Sequence, residues 1–364
     1  MSAPTARPVA PTPAAQASER GRPRTLTLRG PISGRIRVRT LVVCAALALA
    51  ILAAAFLALM IGEKTFAPGR VLSALSGHGS RLESLFIVQW RLPRVVGAIV
   101  FGAMLGVSGA IFQTITRNPL GSPDIIGFSA GAYTGGLLVI LFVSSGYYAV
   151  AGGAVAGGLA VAAIIFALAR GGSLQGFRLI VVGIGVTAML ASIDTWFRLT
   201  SDVDIALVAA TWGVGSLNGL DVEFSGPAMV TGAVFLLVAG LLSRRLAQLD
   251  LGDDQATASG SDPGATRVLG IVVGVVLVAI ATSATGPIAF VALAAPQIGR
   301  RLAGAVGAPM LPAGLVGALI LLLADMLAQH AIPGIQLPAG VVTVAVGGVY
   351  LLSVIITENK RGTL

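Results

Sequence analysis

The residues capable of chemistry are few, and they sit within or beside apolar runs. Arg91 and Arg94 bracket Leu92-Pro93. Each guanidinium can hold a carboxylate through two parallel hydrogen bonds, or it can snorkel to a membrane surface. Asp194 and Asp325 fall inside long apolar stretches. An acid at that depth is costly and marks a functional site by default. For both, satisfaction by neighbouring backbone or hydroxyl groups near helix ends is the stronger reading. The stretch 246–266, LAQLDLGDDQATASGSDPGAT, gathers Asp250, Asp253, Asp254 and Asp262 in a loop with room for a short helix broken at Gly260. Other chemistry is missing. Lys64 follows Glu63 and Lys360 follows Asn359, so no Gly-Lys-Ser/Thr phosphate loop exists. No GxSxG elbow surrounds a serine. His78, His330 and Cys44 stand alone, without metal-ligand spacing. The sequence assigns no catalytic residue, no metal site and no cofactor.

What must position these residues is a membrane-embedded scaffold. The 364 residues are 55% hydrophobic and 11% charged, against about 25% charged in soluble domains. Apolar segments occupy about 41–61, 93–115, 125–143, 147–169, 179–199, 226–243, 268–285, 287–303, 311–329 and 338–356, each read as a span. The fold class is therefore an all-α integral membrane protein of about ten transmembrane helices. Gly102 with Gly106, and Gly131 with Gly135, form GxxxG pairs that let helix backbones approach closely. Gly286-Pro287 predicts a sharp outer turn. The semi-polar 200–225 predicts a short interfacial helix anchored by Trp212.

Charge orients the scaffold. Residues 1–39 are rich in Pro, Ala, Thr and Arg and are expected to be a disordered cytoplasmic tail. The spanning domain covers 40–358, with 246–266 as its longest inner loop, and 359–364 is a cytoplasmic carboxyl-terminal tail. With ten spans, eighteen of the 24 basic residues fall on the inner side, as the positive-inside rule requires. The net charge of +9 reflects this topology and does not argue for a nucleic-acid partner.

Several motifs in one order carry a resemblance: RLPR at Arg91–Arg94, SGAIFQ at Ser108–Gln113, RNPL at Arg117–Leu120, GFSAGA at Gly127–Ala132, LGDDQA at Leu251–Ala256, GPIAFVALAAPQIGRR at Gly286–Arg301, LLLAD at Leu321–Asp325 and QLPAGVVTVAVGG at Gln336–Gly348. Over about 40–358 the chain resembles FecCD/BtuC-type permease subunits of binding-protein-dependent ABC importers for iron(III)-siderophores and cobalamin. The resemblance implies the BtuC-like (type II) importer fold in the cytoplasmic membrane, with both termini inside and no cofactor. It implies a second permease subunit, two cytoplasmic ATPase subunits and an extracytoplasmic substrate-binding protein. It assigns binding-protein docking to Arg91 and Arg94. It places a gate at Asn118 and in the loop 171–178, which includes Gly176 and Phe177. ATPase coupling falls to Leu251, Gly252, Asp253, Asp254, Gln255 and Ala256.

Some positions depart from the family pattern. Gln329 stands where relatives often carry another docking arginine, Gln297 replaces a common histidine, and Ser259 replaces the usual leucine before Gly260. Gly176 and Phe177 stand where small hydroxyl residues are frequent. These departures favour a homologous heterodimer over a homodimer. The resemblance implies passage of a ferric siderophore by alternating access, with cobalamin or haem as alternative cargo. An ion-coupled secondary transporter, which would need Asp194 and Asp325 to titrate, and a polytopic membrane enzyme are the rivals outside the family.

Overall fold

The computed structural model describes residues 25–28 and 34–360, save 63, 145, 170–174, 306, 308 and 333. The amino-terminal stretch expected to be disordered carries one antiparallel hairpin, β1 (Thr25–Leu28) against β2 (Gly34–Arg37); the rest of that tail lies outside the described residues. Helices follow: α1 (Val38–Met60), α2 (Pro68–Leu75) and α3 (Arg81–Glu83), then a π-helical run over Ser84–Arg91 that leads into α4 (Leu92–Thr116). Next come α5 (Pro123–Ile126), α6 (Phe128–Phe142), α7 (Tyr147–Leu168), α8 (Gln175–Thr200), α9 (Val203–Gly213) and α10 (Val222–Leu249). The chain ends with α11 (Asp253–Ala258), α12 (Pro263–Thr285), α13 (Val291–Ala303), α14 (Met310–His330) and α15 (Ala339–Lys360).

Every predicted apolar segment overlaps one of these helices. Among the described residues, seven helical segments are long and apolar enough to cross a membrane. The segments predicted at 125–143 and 287–303 are shorter as helices, with 15 residues in α6 and 13 in α13. At 1.5 Å per residue neither covers the roughly 30 Å of hydrocarbon. Both are entered through irregular backbone: α6 follows Gly127 at φ 99°, and α13 follows Phe290 at φ 70°. Gly286-Pro287 therefore does not make a tight outer turn joining two full spans. The chain stays non-helical from Gly286 to Phe290 and becomes helical only from Val291.

The core is built on α4 and α12, whose most apolar windows are each 78% buried, whereas those of α1 and α8 are 17% buried. The buried pair lies at the centre and the exposed pair at the periphery. The GxxxG expectation is met by geometry. Gly102 and Gly106 in α4 face Gly317 and Ala313 in α14 so closely that an added methyl would overlap their carbonyl oxygens. Gly135 makes the same kind of contact with the Gly153 carbonyl of α7, while Gly131 packs against the Val161 side chain and the Gly157 carbonyl of that helix. Polar side chains inside the core also bind helices together. The Ser108 hydroxyl donates to the Gly274 carbonyl at 2.8 Å, and the Gln113 amide to the Leu293 carbonyl at 3.0 Å.

The two ends of the bundle are called outer, at Arg91, and inner, at Arg117, after the charge asymmetry. The helix expected within 200–225 is α9, and Trp212 at its end stacks on Tyr133 of α6 with centroids 5.1 Å apart.

Candidate functional site

At the outer end, the π-helical run widens the turn that carries Arg91 and sets it beside the end of α1. Insertions of this kind re-aim side chains and recur at functional positions. Arg91 donates to the carbonyls of Leu59 at 2.9 Å and Lys64 at 2.5 Å, and its guanidinium lies 5.3 Å from the Phe66 ring centre. Arg94, one turn into α4, grips Asp325 of α14 with two parallel bonds, Nε to Oδ2 and Nη2 to Oδ1, both 2.8 Å. Gln329 adds a third bond to Oδ2 at 2.8 Å. The Asp325 side chain is 2% exposed and that of Arg94 is 13%. Asp325 is thus an ion-pair partner satisfied by side chains. Both arginines line a cavity of about 520 Å³ together with Trp90, Asp221, Gln329 and Gln336.

At the inner end, α4 closes on Arg117 in the left-handed conformation, φ 50°. That turn carries the chain into Asn118-Pro119. Asn118 Oδ1 accepts from the Leu120 backbone N–H at 2.9 Å, closing the turn locally. Gln297 of α13 donates to the Pro119 carbonyl at 2.8 Å, so the position lacking the family histidine still ties this loop to α13. Gly176 and Phe177, where a gate is expected, fall in the first turn of α8 rather than in a loop; their side chains, and the stretch 170–174, lie outside the described residues.

The inner loop forms the expected short helix, α11, ending before Gly260 at φ 81°. One side chain anchors it from two directions. Asp253 accepts from Arg267 of α12 at 2.7 and 2.9 Å and from Arg117 at 2.6 Å. Arg117 also donates to the Leu249 carbonyl at 3.0 Å. Charge-assisted bonds are the strong kind. Chiefly through the Arg267 hydrogen bond, they hold the Asp253 carboxyl below its ordinary value against a smaller desolvation effect. Ala256 is buried beneath the helix, while Leu251, at 66% exposure, projects outward with Asp254, Gln255 and Thr257. The arrangement is a small helix fixed at its base to α4 and α12, with a mostly polar outer face and one exposed leucine.

The family model for the FecCD transport family matches residues 49–357. The chain belongs to the FecCD transport family. It is 42% identical to the ferric enterobactin transport system permease protein FepG of Escherichia coli over 323 residues, 89% of this chain and 98% of that one. It is 33% identical to the hemin transport system permease protein HmuU of Yersinia pestis over 74% of this chain and 83% of that one. Among solved structures, an inward-facing metal-chelate type ABC transporter superposes with TM-score 0.76 at 27% identity, covering 87% of this chain and 99% of that one. The fold is thus that of an ABC importer permease of the BtuC-like, type II class.

The inner anchor was only half legible beforehand. Asp253 stood within the coupling motif, but nothing in the spacing linked it to Arg267 or Arg117. Asp124, on α5 at the edge of the apolar segment 125–143, has no signature in the sequence. Its carboxylate accepts from the Ser129 hydroxyl at 2.5 Å.

Proposed function

We propose that this chain is the transmembrane permease subunit of an ATP-binding-cassette importer that carries a ferric siderophore across the cytoplasmic membrane. The observation that carries this reading is the 42% identity maintained along 98% of a ferric enterobactin permease. Two ATPase subunits pack against the inner face, where α11 rests in a surface cleft of one of them. A second, homologous permease completes the pathway, and an extracytoplasmic binding protein delivers the cargo at the outer end.

The mechanism follows from how the two ends are built. Closure of the ATPases pushes α11. Through Asp253, that push reaches Arg117 at the end of α4 and Arg267 at the start of α12, the two most buried helices. The Asn118 turn moves with α4, and the inner gate opens or closes with it. At the outer end, Arg91 and Arg94 stand in the open cavity where a carboxylate of the docked binding protein would meet them. Arg94 would exchange or share its Asp325 partner on docking, which couples arrival of cargo to α14. Such a device shifts the access equilibrium only by the difference in docking affinity between its states.

The test is reconstitution in proteoliposomes with an ATPase, a partner permease and a binding protein. Uptake of a radiolabelled ferric siderophore should require ATP and every component. Accumulation by this chain alone, or uptake driven by an ion gradient without ATP, would overturn the reading. The identity to a hemin permease makes haem the second cargo, and competition between haem and ferric catecholate in the same assay separates them.

A further inference from the structure

Helix α13 ends at Gly304, in the left-handed conformation at φ 59°. The N–H groups of Gly304 and Ala305 both return to the Arg300 carbonyl, so the carbonyls beyond it need donors from elsewhere. They find them 262 to 267 residues earlier in the chain. Arg39, in the first turn of α1, donates from Nε to the Leu302 carbonyl at 2.9 Å and from Nη2 to the Arg301 carbonyl at 3.1 Å. Arg37, the last residue of β2, donates from Nη1 to the Gly304 carbonyl at 2.6 Å. Two guanidiniums thus sit at the negative end of the α13 dipole, where cations are stabilising. A methyl added at Gly304 would lie 2.9 Å from Arg39 Nη1, so the glycine also makes room for the fork.

The same helix holds the Asn118-Pro119 loop. Gln297, 4% exposed, donates to the Pro119 carbonyl at 2.8 Å and accepts from the Tyr350 hydroxyl of α15 at 3.4 Å. Arg301 follows Gln297 by about one helical turn. Pro296 cannot donate to the Ala292 carbonyl, so the gap in the helical ladder falls before Gln297 and not between it and the arginines. The α13–α14 corner has a second neighbour. Gly307, at φ 80°, lies against the Asp250 carboxylate, and Asp250 closes α10 just ahead of α11. The corner therefore stands between the amino-terminal arginines and the loop that carries α11.

We infer that Arg37 and Arg39 form a clasp that sets the position of α13 and, through Gln297, the position of the Asn118-Pro119 loop. They are positioning residues, since their bonds reach the loop only by way of α13. The clasp gives α1, whose most apolar window is only 17% buried, a share in the inner gate. A push on α11 reaches the corner beside Asp250 while the arginines hold its other side, so α13 turns about a held end. The inference rests on the importer reading only where it calls that loop a gate. The clasp and its link to Pro119 belong to the chain alone.

The first test follows hydrogen exchange of the purified full chain in lipid nanodiscs. Arg39→Ala removes two bonds from a charged donor at an exposed site and should quicken exchange over 300–305 about fivefold. Exchange over 117–122 should quicken about threefold, as expected of a coupling carried through one packed element. Arg39→Lys keeps the charge but not the fork, and should fall between; a charge that served only to orient the chain would be replaced by lysine without effect. A double-mutant cycle decides the route. In the Gln297→Leu background, Arg39→Ala should still quicken 300–305 but leave 117–122 at the rate set by Gln297→Leu alone. Thr134→Val, which removes the hydroxyl that donates to Asp194 at 3.1 Å, controls for general loosening and should leave both stretches unchanged. If Arg39→Ala gives no folded protein, Arg37→Ala carries the same cycle. Exchange over 117–122 untouched by the arginine variant, additive effects in the cycle, a lysine variant equal to the unaltered chain, or the same response to Thr134→Val would each overturn the inference. In the assembled importer, the Arg37→Ala, Arg39→Ala double variant should keep ATP hydrolysis and carry about threefold less chelate per ATP; an unchanged ratio would overturn the link to gating. Uptake without ATP by the unaltered importer would instead count against the importer reading and leave the exchange cycle as it stands.

Discussion

Replacing Asp253 by asparagine tests whether α11 is mechanically tied to the core. The substitution keeps the shape of the side chain but removes its charge. Three charge-assisted contacts, at 2.7 and 2.9 Å to Arg267 and 2.6 Å to Arg117, are reduced to at most one or two neutral ones. The carboxylate is 45% exposed, so each pair is screened and counts as a surface pair of about 0–1 kcal/mol. Arg117 also keeps its bond to the Leu249 carbonyl. The expected loss is therefore about 1 kcal/mol in the docked position of α11, a roughly fivefold rise in its local opening constant. Hydrogen exchange of the amides over 253–258 should quicken about fivefold, while the centre of α12 is unchanged. In the assembled importer, ATP hydrolysis should persist and iron taken up per ATP should fall. The folded-state value of this carboxyl lies below its unfolded one. Its contribution is thus complete above the ordinary carboxylate range and is lost as pH falls through the depressed value. Protection of α11 should stay flat from neutral pH to about pH 5 and drop only in stronger acid. Exchange altered less than twofold, together with unchanged coupling, would refute the tie.

Arg94→Ala leaves the buried Asp325 carboxylate without its guanidinium and should cost about 3–5 kcal/mol; a double change to Met at Arg94 and Leu at Asp325 should recover most of the Tm seen by thermal scanning. Gly106→Val meets the Ala313 carbonyl and should cost several degrees in Tm or abolish monodisperse protein by size exclusion, with overpacking costing about 1–3 kcal/mol. Leu251→Ser, at 66% exposure, should leave Tm within about 1 °C yet lower ATP-coupled uptake; equal effects on both would place Leu251 inside the fold instead. Gln297→Leu removes the bond to the Pro119 carbonyl and should destabilise by about 1–2 kcal/mol, read as faster exchange across 117–122.

The helices were legible because lipid demands long apolar runs, and each predicted run overlaps one. The two short members were not distinguished, since hydropathy records what tolerates lipid and not where backbone turns helical. Phe290 in a left-handed conformation has no signature in composition. Glycine pairing in α4 and α6 was readable because a GxxxG face has one main use in lipid. The partner of Asp325 lies 231 residues earlier in the chain, and no local pattern connects them. The acids at Asp194 and Asp325 looked alike in sequence. Packing gave one a guanidinium and the other a single hydroxyl.

The glycine seams constrain how such a bundle can travel. Where Gly102 and Gly106 of α4 meet Ala313 and Gly317 of α14, and Gly135 of α6 meets Gly153 of α7, main chain lies directly on main chain. Surfaces that close cannot roll over one another by small steps. Each pair has to swing as one plank, and the joints must lie where backbone is already unwound, at Arg117–Ser122 and at Gly286–Phe290.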